Sequence, residues 1–251
     1  MISAAKSKWF NAWFARHARS RIRSTFGRVE IAGLAAARAA ASGAPLLLVA
    51  NHSTWWDALV ALYVSELLLR CDGYAMMDAA NLRRVPFFRR VGAFGVDLED
   101  PADGARAIRH AVRLLDTPGR VLWIFPEGRE RSPFAPLELR PGAAQVARVA
   151  KRALVVPVGL RYVFGGTEHP ELWISIGRPL VRGSDARDIP SGVVAQREGI
   201  ELELARIDAA LLARGGVDVA SIADGFEPVF TRRASFLGRL AERLLVRLLP
   251  A

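Results

Sequence analysis

Apolar residues fall along this chain in short unbroken runs, and stretches of helical periodicity separate one run from the next. Leu46 to Ala50, Val121 to Phe125, Leu154 to Tyr162 and Leu172 to Leu180 read as buried strands, the last of them closed by Gly177 and Pro179. Tyr74 to Asp78 and Gly92 to Leu98 read as shorter ones. Ala58 to Leu69 predicts a buried helix, with Ser53 as its cap and Asp57 in the first turn or so. Asp100 and Pro101 open a second helix as N-cap and first-turn residue, whose Ile108, Val112 and Leu115 face the core while Arg106, Arg109 and Arg113 point elsewhere. Pro141 to Arg152 and Val193 to Arg214 are also predicted helical. An alanine-rich stretch follows Gly33, Asn81 to Arg90 is a basic segment, and Gly215 to Pro228 reads as an irregular connection.

Strands alternating with helices of this length predict an α/β fold, a single layered domain with a mostly parallel or mixed central sheet flanked by helices. The domain is expected over 34–214, with a basic amphipathic segment over 1–33 before it and a connection and amphipathic helix over 215–251 after it. In the first segment, Ala4 to Arg23 sets Trp9, Phe10, Trp13 and Phe14 among Lys6, Lys8, Arg16, Arg19, Arg21 and Arg23. Aromatic rings beside cations suit the interface of an anionic bilayer, and they suit equally a helix that docks its rings on the domain. In the last segment, Ser235 to Leu249 gathers Leu237, Leu240, Leu244, Leu245 and Leu248 on one face, with Arg239, Arg243 and Arg247 on another.

Composition narrows the class. At 251 residues, 51% hydrophobic and 24% charged, the chain has the make-up of one globular domain with a substantial core. A net charge of +10 implies an anionic partner: a phospholipid surface, an acidic carrier protein, a coenzyme A phosphate or nucleic acid. One cysteine, Cys71, excludes an internal disulfide and a cysteine-rich metal site and reads as a small buried apolar residue. No stretch approaches the roughly 18 to 20 apolar residues needed to span a bilayer, and the start lacks the layout of a signal peptide. The expectation is an intracellular protein that lies on a membrane without crossing it.

The chemistry concentrates where two strands end. After Ala50 come Asn51, His52, Ser53 and Thr54, then Trp55, Trp56 and Asp57. His52 stands at the carboxyl end of a strand, where open α/β sheets place their ligand sites, and Asp57 is near enough in sequence to fold back on it. Such a pair can take a proton on the imidazole while the carboxylate fixes its tautomer. After Phe125 come Pro126, Glu127, Gly128, Arg129, Glu130, Arg131 and Ser132. Together, Asn-His-x4-Asp and Phe-Pro-Glu-Gly resemble the marks of the glycerolipid acyltransferases of the 1-acylglycerol-3-phosphate acyltransferase family, and the resemblance covers roughly Pro45 to Tyr162.

What the resemblance implies can be stated residue by residue. His52 is the general base and Asp57 its partner, with Asn51 and Ser53 beside the substrate. Glu127 and Gly128 shape the acceptor pocket, and Arg129 or Arg131 grips a phosphate. Arg140, before Pro141-Gly142-Ala143-Ala144, matches a basic family residue that faces the site, and Val156 to Gly159 matches a structural block. Two features depart from the family. The block after Gly128 is one residue longer than the usual Thr-Arg-Ser, and Leu98 stands where members commonly carry a phosphate-binding arginine. Either Arg89, Arg90 or Arg106 substitutes for it, or the acceptor has no phosphate there. One of Trp55 and Trp56 lines an acyl tunnel, or both are core aromatics. His17, His110 and His169 have no partners at ligand spacing.

The function expected is a peripheral acyltransferase at the cytoplasmic face of a membrane. Its donor is acyl-CoA or acyl carrier protein, and it needs no other cofactor. Its acceptor is a lipid alcohol, 1-acylglycerol 3-phosphate first and lyso-ornithine lipid or a glycosylated pigment second. Nucleic acid is not expected as a partner. With no Gly-x-Ser-x-Gly elbow and no strong nucleophile beside His52, the acceptor attacks the thioester directly, without an acyl-enzyme. The rival classes are a non-catalytic basic membrane-binding protein and a thioesterase or lipase.

Overall fold

Every residue of Leu46–Ala50, the second strand, is 0% exposed, and this strand shows how the molecule is layered. Side chains alternate across a strand, so Leu46, Leu48 and Ala50 enter one core while Leu47 and Val49 enter another on the opposite face. Each such aliphatic side chain contributes about 1.5–3 kcal/mol when fully buried. A strand buried on both faces belongs in the middle of a sheet covered by helices on both sides.

The computed structural model describes residues 1–165, 168–181, 188–215 and 225–232. Its elements are α1 (Lys8–Thr25), β1 (Arg28–Ala32), α2 (Leu34–Gly43), β2 (Leu46–Ala50), α3 (Trp56–Tyr63), β3 (Asp72–Asp78), α4 (Ala79–Arg84), β4 (Ala93–Val96), α5 (Pro101–Leu114), β5 (Arg120–Ile124), α6 (Gly142–Val149), β6 (Leu154–Val163), β7 (Glu171–Ile176), α7 (Ile189–Arg214) and β8 (Phe226–Thr231). One eight-stranded sheet runs in the order β4-β3-β5-β2-β6-β7-β1-β8. Its first five strands are parallel; β7 is antiparallel to β6, β1 is parallel to β7, and β8 is antiparallel to β1. The expected α/β domain with a mostly parallel, mixed sheet is the one observed. Helices α2 and α3 cover one face, and α5, α6 and α7 the other.

Several elements differ from the sequence reading. The helix expected over Ala58 to Leu69 is α-helical only to Tyr63; Val64–Leu69 widens into a π-helix, ended by Arg70 at φ 59°. Ser53 is not its cap: Trp55 holds that position without a side-chain cap bond, Thr54 Oγ1 accepts the Trp56 N–H at 3.5 Å, and Asp57 reaches back to the Ser53 and Thr54 amides that precede the helix. The basic segment folds as α4 and a 3-10 turn, Pro86–Val91. The stretch after Gly33 is α2, and α7 begins at Ile189, where Asp188 caps Ser191. The last predicted strand stops at Ile176. β1 and β8 were not foreseen. β1 sits between β7 and β8, so part of the 1–33 segment is a strand of the central sheet, and β8 begins within the stretch read as irregular. The helix expected over Ser235 to Leu249 lies outside the described residues.

Helix α1, capped by Ser7, buries Phe14, Ala15, Ala18 and Ile22. Its Phe14 meets Phe87 and Phe88 of the 3-10 turn at 5.3 and 6.0 Å between ring centres. Trp9 and Trp13 stay outside, 76% and 49% exposed. The helix thus docks one face on the domain and turns two indoles to solvent. Among the described residues, no helix is long and apolar enough to cross a membrane.

Candidate active site

The sheet itself selects the place. The connection leaving β2 runs through α3 on one face, and the connection leaving β5 runs through α6 on the other. Where neighbouring parallel strands send their chains to opposite faces, a crevice opens at their carboxyl ends. His52 follows β2 and Glu127 follows β5, so both line that crevice.

Asp57 is fully buried and its carboxylate is surrounded by donors. Oδ2 faces His52 Nδ1 at 2.7 Å and accepts the backbone N–H groups of Ser53 at 2.9 Å and Thr54 at 3.1 Å. Oδ1 accepts the Tyr162 hydroxyl at 2.6 Å. An ionised carboxylate only accepts, so the proton lies on His52 Nδ1 and the lone pair on Nε2. The imidazole is 23% exposed, rests 4.8 Å from the Phe125 ring, and lines two cavities at once. This is the orientation a general base requires.

Glu127 holds the same histidine from behind. Its Oε1 accepts the His52 backbone N–H at 2.7 Å, while Arg131 N–H donates to the His52 carbonyl at 2.8 Å. The two loops are therefore laced together across the crevice. Burial pushes the Glu127 carboxyl above its usual value, and the His52 N–H bond offsets part of that. Gly128 turns at φ 73°, and a Cβ there would lie 3.1 Å from Arg140 Cδ and 3.5 Å from Leu98 Cδ1.

The first cavity encloses about 630 Å³ and runs from His52 and Gly128 past Trp55, Ala58 and Leu62 to Ser65 and Gly73. Its lining is mainly apolar, with Met76, Phe88, Val91 and Trp123 among the walls. The deep end is closed by Trp123, whose Nε1–H donates to Ser65 Oγ at 2.8 Å. The second cavity, about 390 Å³, lies on the α7 side of the imidazole, between the loop 131–137 and Glu201, Leu204, Ala205 and Asp208. The tryptophans divide the two roles foreseen for them: Trp55 lines the first cavity, and Trp56 packs edge-on against Phe26 at 5.1 Å.

The remaining predicted residues separate as well. Asn51 gives its amide to Leu160, donating to the carbonyl at 3.1 Å and accepting the N–H at 2.8 Å, so it fastens β2 to β6, and it also lines the second cavity. Arg129 lines the first cavity; Arg131 lines the second and pairs with Glu138. Arg140 lies against Gly128. The three arginines considered as substitutes at Leu98 are held elsewhere: Arg89 on the Ser3 carbonyl at 2.9 Å, Arg90 over the Phe10 ring, and Arg106 on Asp103 and Asp100. Sequence reasoning missed Tyr162, which is 105 positions from the carboxylate it touches. Its hydroxyl pKa is raised well above the usual value by burial and by the Asp57 charge.

Comparison with known proteins bears on this geometry. A 1-acyl-sn-glycerol-3-phosphate acyltransferase of Streptococcus pneumoniae (strain ATCC BAA-255 / R6) is 27% identical over 169 residues, 64% of this chain. The chain spans about 60% of that relative's length. Among solved structures, the pilus retraction motor PilT with bound ADP aligns at a TM-score of 0.35 with 10% identity, over 74% of this chain and 62% of that one, a likeness that carries no argument. The family model described as Acyltransferase matches residues 28–161, more than half of the chain and a span that includes His52, Asp57 and Glu127 and ends one residue before Tyr162. The chain belongs to the Acyltransferase family.

Proposed function

We propose that the protein moves a fatty acyl group from an acyl thioester, acyl-CoA or acyl carrier protein, to the free hydroxyl of a lysophospholipid. The lead acceptor is 1-acylglycerol 3-phosphate, which gives phosphatidic acid. One observation carries this reading: the His52–Asp57 pair stands at one end of a mainly apolar cavity of a volume usual for a small-molecule site.

In the proposed reaction, His52 Nε2 takes the acceptor's hydroxyl proton as the oxygen attacks the thioester carbonyl. Asp57 stabilises the imidazolium that forms. The tetrahedral adduct collapses with cleavage of the C–S bond, and the imidazolium returns the proton to the departing thiolate. The acyl chain occupies the apolar cavity. Arg129 and Arg140 hold the acceptor phosphate, an assignment supported by Arg129 lining that cavity and Arg140 lying against Gly128. Trp9 and Trp13 seat the molecule on the cytoplasmic face of an anionic membrane as a peripheral protein.

A second acceptor class has an observation of its own. Leu98 lies against Gly128 and the nearby Arg89, Arg90 and Arg106 are engaged, which favours a lipid alcohol without a phosphate at that place. Thiol release from acyl-CoA, measured with the purified protein against 1-acylglycerol 3-phosphate and against a lysolipid lacking phosphate, separates the two. A preference for the phosphorylated acceptor supports the lead; preference for the other replaces it; no release with any lysolipid removes both.

A further inference from the structure

The site offers two ways out from one imidazole. His52 lines the long apolar cavity on one side and the smaller α7-side cavity on the other. A thioester presents the same division at its carbonyl carbon, with an alkyl chain on one bond and a thiol carrier on another. If the chain fills the apolar cavity, the carrier must leave His52 by a different route.

The second cavity has a definite chemistry. Its guanidinium groups are already paired: Arg161 holds Asp208 with two bonds of 3.0 Å, and Arg131 pairs with Glu138. Glu127 and Glu201 line the same space. An anion placed there would meet three lining carboxylates and no cation that is not already paired, so a phosphate is a poor occupant. A neutral chain with amide groups is a good one. Ser53 and Ser132 line the same space and bring hydroxyl groups that can pair with amides. Leu137, Leu204 and Ala205 supply apolar surface for the hydrocarbon between the amides.

We propose that this α7-side cavity binds the pantetheine arm of the acyl donor, the part common to coenzyme A and acyl carrier protein, and delivers its sulfur to His52. The inference rests on the acyl-transfer reading above and adds the place of the donor. It also leaves the apolar cavity and its rim to the acyl chain and the acceptor, so the two substrates approach the imidazole from different sides.

The test narrows the cavity at Ala205, a small, exposed helical residue outside the catalytic pair. In Ala205→Trp the KM for acyl-CoA and for acyl carrier protein both rise about tenfold or more, corresponding to roughly 1.4 kcal/mol, while the KM for the lysolipid and the melting temperature hold. On the wild-type protein, the thioester of N-acetylcysteamine, which lacks most of the arm, has a KM at least about tenfold above that of the pantetheine thioester, and the gap closes in the variant. Ala205→Leu gives a smaller shift in the same direction and serves if the larger ring disturbs folding. Calorimetric binding of S-decyl-coenzyme A, an unreactive thioether, reads the same weakening without turnover, so it decides the matter even if no lysolipid is acylated. The proposal is overturned if Ala205→Trp raises the lysolipid KM instead, if both KM values and thioether binding are unchanged, or if only acyl-CoA is affected, since the cavity would then hold the nucleotide and not the arm.

Discussion

Tyr162 gives the sharpest test of how the His52–Asp57 pair is held. Tyr162→Phe keeps the ring, 5.8 Å from that of Phe26, and removes only the hydroxyl that donates to Asp57 Oδ1. Oδ2 keeps its three donors, but Oδ1 loses its bond inside a residue that is 0% exposed. A hydrogen bond to a charged group is worth about 1.5–3 kcal/mol, so the variant loses about that much stability. For a chain of this size the melting temperature falls by roughly 3 to 12 °C. The functional consequence is separate. With Oδ1 unanchored, the carboxylate turns about its own bond and the imidazole loses its fixed aim, so kcat falls by about tenfold, near 1.4 kcal/mol of barrier. Both KM values stay put, because Tyr162 touches neither proposed substrate. Steady-state kinetics beside calorimetric melting measures both effects on one preparation. A lower melting temperature with unchanged kcat would make Tyr162 a packing residue only, and no change in either would refute the bond's role altogether.

Other expectations follow from the same geometry. Glu127 has a folded-state pKa raised above 4.5, mainly by burial, so its contribution to stability is present below that value and is lost as pH rises through the raised one. In Glu127→Gln that loss disappears, and the variant's melting temperature gains on the wild type between acid and neutral pH; parallel curves would contradict this. Replacing Trp9 and Trp13 together by Ala removes two exposed indoles from α1 without touching its buried face, so sedimentation with anionic vesicles falls several-fold at unchanged melting temperature. Retained binding would assign α1 to docking alone. Ala61 lines the apolar cavity one turn of α3 beyond Asp57, and Ala61→Phe shifts donor preference towards shorter acyl chains in a competition assay with mixed acyl-CoA thioesters. An unmoved chain-length profile would take the acyl chain out of that cavity.

The parts of the molecule that were legible in the sequence share a physical reason. β2 and β5 are buried on both faces, so they appear as unbroken apolar runs, and the sites they support follow directly at their carboxyl ends. Asp57 was within reach of His52 by chain length alone. The strand β1 was hidden because Glu30 interrupts its pattern; in the fold that carboxylate is buried beside Arg28, at 3.1 Å, which no local spacing announces. β8 was hidden by Pro228 and by a register shift against β1, both tolerated at a sheet edge. Ser53 was misread as a cap because Ser is a common one; the helix begins only at Trp56, and the Trp56 amide is served by Thr54 Oγ1 instead. Arg89 and Arg90 looked available because their partners, Ser3 and Phe10, come from distant parts of the chain, whereas the Asp103 partner of Arg106 stands three residues before it on the same helix. Tyr162 illustrates the limit most clearly. A tyrosine at the end of an apolar strand signals a buried hydroxyl needing a partner, but only the pairing of β6 with β2 brings that hydroxyl to Asp57.

The central claim is that His52 removes the proton from the acceptor hydroxyl. Its most direct test is the steady-state rate of thiol release from acyl-CoA in the presence of saturating lysolipid, compared between the wild-type protein and His52→Ala. The account predicts a fall in kcat of about 10²- to 10⁴-fold, with both KM values and the melting temperature close to those of the wild type. A His52→Ala protein that retains kcat within about tenfold of the wild type would contradict it, because a positioned general base is worth more than that.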